Sequence, residues 1–128
     1  MYDVIATLAS MEMASAFKHV LDDIAVVRKF EYNSVWGRDE AERLIVPGKR
    51  QLLIADIDPY IGIEKSIEWI GRMRQLNPRL ACLRYSRYRV SDEKFEFEIN
   101  AKSNGALLQV RHAVSAFLSG ELSRKNHA

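Results

Sequence analysis

A chain of 128 residues with 48% hydrophobic content has the commonest size for one independently folding domain, long enough to bury a core and too short for two. Charged residues make up 28%, with 19 Lys plus Arg against 17 Asp plus Glu, so no global charge drives the protein toward nucleic acid or an anionic membrane. The single cysteine, Cys82, can form no internal disulfide, and no apolar run approaches the ~18 residues that span a bilayer, so a cytoplasmic location is expected.

No internal repeat or Pro/Gly-rich linker interrupts the chain, which predicts one domain over 1–120 and a polar tail or linker start over 121–128. Residues 3–8 form a short β-branched and apolar run, followed by Ser10 as a helix N-cap. Met13, Ala16, Phe17, Val20, Leu21 and Ile24 then recur at helical spacing on one face. The run 25–32 reads as a second strand. Residues 38–45 read as a short helix with Ala41, Leu44 and Ile45 inward, ended by Pro47 and Gly48.

Residues 51–56 are a compact apolar strand that ends in a carboxylate and passes into a turn containing Pro59. A helix over 63–76 follows, with Ile63, Ile67, Ile70 and Met73 inward, stopped by Asn77 and Pro78. Another strand begins over 80–83. Phe95, Phe97 and Ile99 alternate with Glu96, Glu98 and Asn100, the period-two pattern of a strand with one wet face. Ser103 is placed as the cap of a last helix whose apolar stripe is Leu107, Val110, Val114, Phe117 and Leu118, with Gly120 near its C-cap. Trp36 and Trp69 are packing candidates, Trp69 lying beside the main stripe and expected to be partly exposed. His19 and His112 have no second ligand at i+4 and suggest no metal role. Strands alternating with helices predict an α/β domain with a parallel sheet covered on both faces.

In such a sheet, reaction groups sit where the strands' carboxyl ends gather. Asp56, Ser86 and Lys102 are all expected at such ends. The segment Leu52-Leu-Ile-Ala-Asp56-Ile-Asp-Pro59, then Gly62-Ile-Glu and a helix closing in Arg74-Gln-Leu-Asn-Pro78, resembles the third strand and third helix of the receiver domains of bacterial response regulators. Ile99-Asn-Ala-Lys102 and the final amphipathic helix resemble their fifth strand, its lysine and their last helix. The resemblance implies a flavodoxin-like, doubly wound, five-stranded parallel sheet of order 2-1-3-4-5. Because 87–94 is polar and short, the fourth helix is expected to be shortened or absent. Arg84 interrupts the apolar character expected of a central fourth strand, so an antiparallel hairpin pairing 82–90 with 94–100 through Ser91-Asp-Glu is the structural alternative.

The resemblance also assigns roles. Asp56 corresponds to the phosphoacceptor, and Ser86 and Lys102 to the groups that contact the phosphoryl oxygens, where charge develops during transfer. Receivers hold Mg²⁺ with an acidic pair after the first strand and the acceptor aspartate. Here the equivalent positions fall among Leu8, Ala9 and Ser10, leaving Asp56 and Asp58 as candidate metal ligands, with Glu12 nearby in sequence. Ser103 also stands where receivers usually have proline.

The missing pair argues against competent phosphorylation at Asp56 and for Lys102 as an ion-pair partner of Asp56. The expectation is therefore an atypical receiver in two-component signal transduction, a phosphorelay or transcription regulation, acting by protein–protein interaction or dimerisation. It would have no catalytic residues and no cofactor, with Mg²⁺ only if phosphorylation proceeds, and a protein partner or output domain. The alternative is a small α/β ligand-binding domain or enzyme using the strand-end cleft near Asp56 and Lys102. Arg72, Arg74, Arg79, Arg84, Arg87 and Arg89 form a basic region without a nucleic-acid motif. The acidic stretch 91–98 is available to neutralise it.

Overall fold

β-branched runs and helical stripes alternate along the chain, and the computed structural model, which describes residues 2–7, 11–55, 63–86 and 95–120, places them as follows. The order is β1 (Asp3–Thr7), α1 (Met11–Ala25), β2 (Glu31–Val35), α2 (Arg38–Leu44), β3 (Gln51–Ala55), α3 (Ile63–Leu76), β4 (Ala81–Ser86), β5 (Phe97–Asn100) and α4 (Ala106–Leu118). The strands form one sheet of order β2-β1-β3-β4-β5 in which every neighbouring pair is parallel. This is an α/β, flavodoxin-like arrangement. No helix of the described residues is long and apolar enough to cross a membrane.

Both faces of the sheet are covered, which is why its central strands are apolar throughout. On one face Val4, Leu52, Ile54, Leu83 and Ile99 pack against Phe17 and Leu21 of α1 and Val110, Val114 and Phe117 of α4. On the other, Ile5, Leu53 and Cys82 meet Ala41 of α2 and Trp69, Ile70 and Met73 of α3. Each fully buried Leu, Ile or Phe contributes roughly 1.5–3 kcal/mol relative to exposure.

Several expectations need correction. The run 25–32 is not the second strand: α1 extends to Ala25, the amides of Val26 and Arg28 still bond to Asp22 and Ile24, and β2 begins only at Glu31. Val26 is 83% exposed, so its β-branched character marks a turn and not a buried strand. β2 is an edge strand, where few positions must be apolar. Its Tyr32 is tied to α1, donating its hydroxyl to Asp22, which also accepts from Lys18 at 3.0 Å. These bonds, from Tyr32 first and Lys18 second, hold the Asp22 carboxyl below its ordinary range. A depressed carboxyl contributes stability above its unfolded pKa that is lost as pH falls, here weakly, because the pair is exposed.

The antiparallel hairpin is also overturned. Leu83 pairs with Phe97, Arg84 with Glu98, Tyr85 with Ile99 and Ser86 with Asn100 in parallel register. Arg84 is tolerated in a buried strand because its in-register neighbour Glu98 lies 3.6 Å away. The expectation of a shortened or absent fourth helix falls on 87–94, which lies outside the described residues. The Ser10 cap and the tail 121–128 also lie outside the described residues.

Ser103 does not cap the last helix. The N-cap is Gly105 at φ 77°, a left-handed conformation that glycine adopts without Cβ strain. Ser103 instead closes the preceding turn, its amide and hydroxyl both bonding to the Asn100 carbonyl. Leu107 is on the outer side of α4, whereas Val110, Val114, Phe117 and Leu118 are buried as expected. Trp69 is only 4% exposed, while Trp36 is 54% exposed.

At the edge where the strands begin, two buried amides use every donor and acceptor they own. Gln51 Nε2 donates to Asp3 Oδ2 at 2.9 Å and to the Leu44 carbonyl at 2.7 Å, and its Oε1 accepts from Val46 N at 2.9 Å and Asn77 Nδ2 at 3.1 Å. Asn77 Nδ2 also donates to the Lys49 carbonyl at 2.8 Å, and its Oδ1 accepts from Gly48 N at 3.2 Å and Arg79 N at 3.1 Å. Replacing Asn77 with Ala strands several of these groups, each costing about 1–3 kcal/mol when buried without a partner. Urea denaturation of Asn77→Ala should show a loss of at least that size, and Val26→Ala, at an exposed turn, should stay within about 0.5 kcal/mol of wild type. Equal stability of the two variants would contradict this role.

Candidate functional site at the carboxyl edge

Parallel strands end together, so β1, β3, β4 and β5 bring Thr7, Ala55, Ser86 and Asn100 to one edge. Ser86 is the last residue of β4, its side chain buried, and its carbonyl accepts from the Ala101 amide at 3.0 Å. Lys102 is two residues past β5 and exposed. The structure therefore places both of these expected residues at the same edge on neighbouring strands. Asp56 directly follows Ala55 in sequence, and Asp56 and Asp58 lie outside the described residues. Lys102 makes no ion pair with a described residue.

The turn that presents Lys102 is built by Asn100, a residue given no role by sequence reasoning. Its Oδ1 accepts from the Lys102 amide at 2.9 Å, and its carbonyl takes both bonds from Ser103. This is the local bonding by which asparagine folds a chain back on itself. The run Asn-Ala-Lys-Ser-Asn-Gly, rich in turn formers, was the available signal.

Helices run opposite to the strands, so α2 and α3 present their first turns here. Arg38, the first residue of α2, donates to Ser66 Oγ of α3 at 2.6 Å and lies over the Trp69 ring at 5.4 Å. That stacking explains why Trp69 is covered although it stands beside the apolar stripe. Trp36, just past β2, is an exposed aromatic of this edge.

A magnesium site needs several hard oxygen ligands, usually carboxylates. The described end of β1 supplies Thr7, whose hydroxyl donates to the Ile54 carbonyl at 3.0 Å. Neighbouring strands add a serine, an asparagine and a lysine. Among the described residues no three His, Cys, Asp or Glu side chains gather as a metal site would require. The described residues of this edge do not fit the ion.

Beside the edge, the expected neutralisation of the basic region is visible in two pairs. Arg74 and Glu96 meet at 2.8 Å, both largely buried, and Glu96 Oε2 also accepts from the Cys82 amide at 2.7 Å. Arg84 meets Glu98 as described above. These arginines are structural, which removes them from any nucleic-acid surface.

No protein-family model matches this sequence, and a search of curated proteins returns no match. The receiver resemblance stands on the residues and the strand order alone.

Two substitutions separate structural from exposed charge here. Glu96→Ala leaves Arg74 without its partner and a β4 amide without its acceptor, and should cost about 3 kcal/mol in chemical denaturation. Lys102→Ala should change stability by less than about 0.5 kcal/mol. A Lys102→Ala loss as large as that of Glu96→Ala would show that Lys102 is locked in a structural ion pair.

Proposed function

We propose that this chain is a receiver-like signalling module of the kind found in bacterial response regulators, acting through protein contacts and not as a magnesium-dependent phosphorylation switch. The observation that carries this reading is the parallel sheet of order 2-1-3-4-5, in which Ser86 ends β4 and Lys102 lies just past β5 at one edge, with Asp56 next after β3 in sequence. Three residue types that handle a phosphoryl group in receivers thus follow three adjacent strands.

The same edge argues against the switch. Thr7 ends β1 and commits its hydroxyl to a neighbouring carbonyl, and the next three residues, Leu8, Ala9 and Ser10, carry no carboxylate. The phosphoryl charge that grows during transfer would then meet Lys102 without a metal-binding acidic pair beside it. The segment between β4 and β5 is ten residues, 87–96, short for a fourth helix with its loops, and that helix is part of the surface receivers use to signal. Contacts with a partner, an output domain or a second copy are constitutive in this reading. Exposed apolar side chains such as Trp36 and Leu108 supply surface for them.

Intact-mass analysis after incubation with acetyl phosphate and Mg²⁺ should show no stoichiometric adduct, and beryllofluoride should leave tryptophan fluorescence unchanged. Sedimentation of wild type and Asp56→Asn should be the same with and without the phosphodonor. A stoichiometric adduct abolished by Asp56→Asn would make the chain a conventional switch and overturn the proposal.

A further inference from the structure

The edge where the strands begin plays no part in the function proposed above, and it carries a cavity. Tyr2 leads into β1, Arg28 and Lys29 lie between α1 and β2, and Leu118 ends α4. Together they line an open cavity of about 390 Å³, within the range of roughly 300–1,000 Å³ typical of small-molecule sites. Because the strands are parallel, this is the edge opposite Ser86 and Lys102.

Charge at this edge is unbalanced in one direction. Among the described residues its carboxylates Asp3 and Glu31 both face Lys49, at 3.9 and 3.7 Å. Asp22 is held by Lys18 and Tyr32, and Asp23 faces Arg111 at 3.6 Å. Arg28 and Lys29 make no ion pair with a described residue. A third cation, Arg50, lies over the Tyr2 ring at 5.4 Å and donates to its hydroxyl at 2.8 Å. The Tyr2 ring is in turn fixed against Phe117, with centroids 5.3 Å apart.

The bland account is that Arg28 and Lys29 complement the negative end of the α1 dipole. It covers their charge but not the cavity between them, nor its aromatic wall with an arginine set on it. Neighbouring cations repel, and an anion between them removes that repulsion. Guanidinium groups bind phosphoryl oxygens in a fork, and an aromatic wall takes a flat body. We infer that this cavity binds a small phosphorylated ligand of mononucleotide size, its phosphoryl group between Arg28 and Lys29 and its base against Tyr2 and Leu118.

Isothermal titration of the full chain with AMP, adenosine and inorganic phosphate tests this. AMP should bind saturably, with adenosine and phosphate each at least tenfold weaker. The exposed pair Arg28→Ala/Lys29→Ala should weaken AMP at least tenfold. Lys65→Ala/Arg72→Ala, which removes the same charge from the exposed side of α3, should leave it unchanged. Three results would each overturn the proposal: no saturable AMP binding, phosphate binding as tight as AMP, or equal losses in the two double variants. The phosphorylation of Asp56 does not enter any of these measurements.

Discussion

The hydrogen bond between the Gln51 and Asn77 side chains joins three things that must agree for this sheet to form: the start of β3, the end of α3 and the loop from α2. Both amides are buried, and a buried amide with an unmade bond costs about 1–3 kcal/mol. With all their donors and acceptors engaged, they stabilise one alignment and penalise any slip. Asp3 stands in register with Gln51 and accepts its amide hydrogen, so the same cluster aligns β1 on β3. A parallel ladder has no tight turn to set its register, and here polar side chains at the strand starts do so. The strand ends that carry Ser86 and Lys102 are positioned from the opposite side of the molecule.

The second constraint is that a parallel sheet under two helical layers has no wet face. β3 and β4 bury every residue, so polar chemistry is confined to the strand ends and to one flank of the sheet. That flank is β5, and it has the charged residues: Glu98 meets Arg84, and Glu96 meets Arg74 while taking the Cys82 amide. Two of the arginines that look like a basic region in the sequence, Arg74 and Arg84, are counterparts of these glutamates. Along that flank a carboxylate in register is what lets a buried strand carry Arg84.

Much of this was legible because burial on both faces leaves a plain signal. The boundaries of α3 and the identity of β1, α1, α2, β3 and α4 followed from apolar spacing and from proline and asparagine stops. β2 was misplaced because an edge strand need not be apolar: Glu31, Asn33 and Ser34 are exposed, while the more strand-like Val26 and Val27 sit in a turn. The hairpin alternative arose from treating Arg84 as a sign of exposure, when its carboxylate partner lay fourteen residues further along the chain. Trp69 was misjudged for a related reason, its cover being Arg38 of another helix. Of the candidate site, the strand-end positions of Ser86 and Lys102 were readable from pattern. The work of Asn100 was not, because a side chain that bonds its own turn leaves no periodicity.

The two edges of the sheet divide the polar groups by what satisfies them. At the amino edge Gln51 and Asn77 are saturated by the protein itself, which marks them as structure. Beside them Arg28 and Lys29 make no ion pair with a described residue. At the carboxyl edge Thr7 is committed to a carbonyl, whereas Lys102 projects from a turn that Asn100 holds in place. Polar groups already saturated have little to offer a ligand or partner, because binding would have to break bonds as good as those it makes. Cations that pair with no carboxylate among the described residues lose nothing of that kind on meeting an anion. By this criterion the groups available for recognition among the described residues include Lys102 at one edge and Arg28 and Lys29 at the other, on opposite ends of the same rigid sheet.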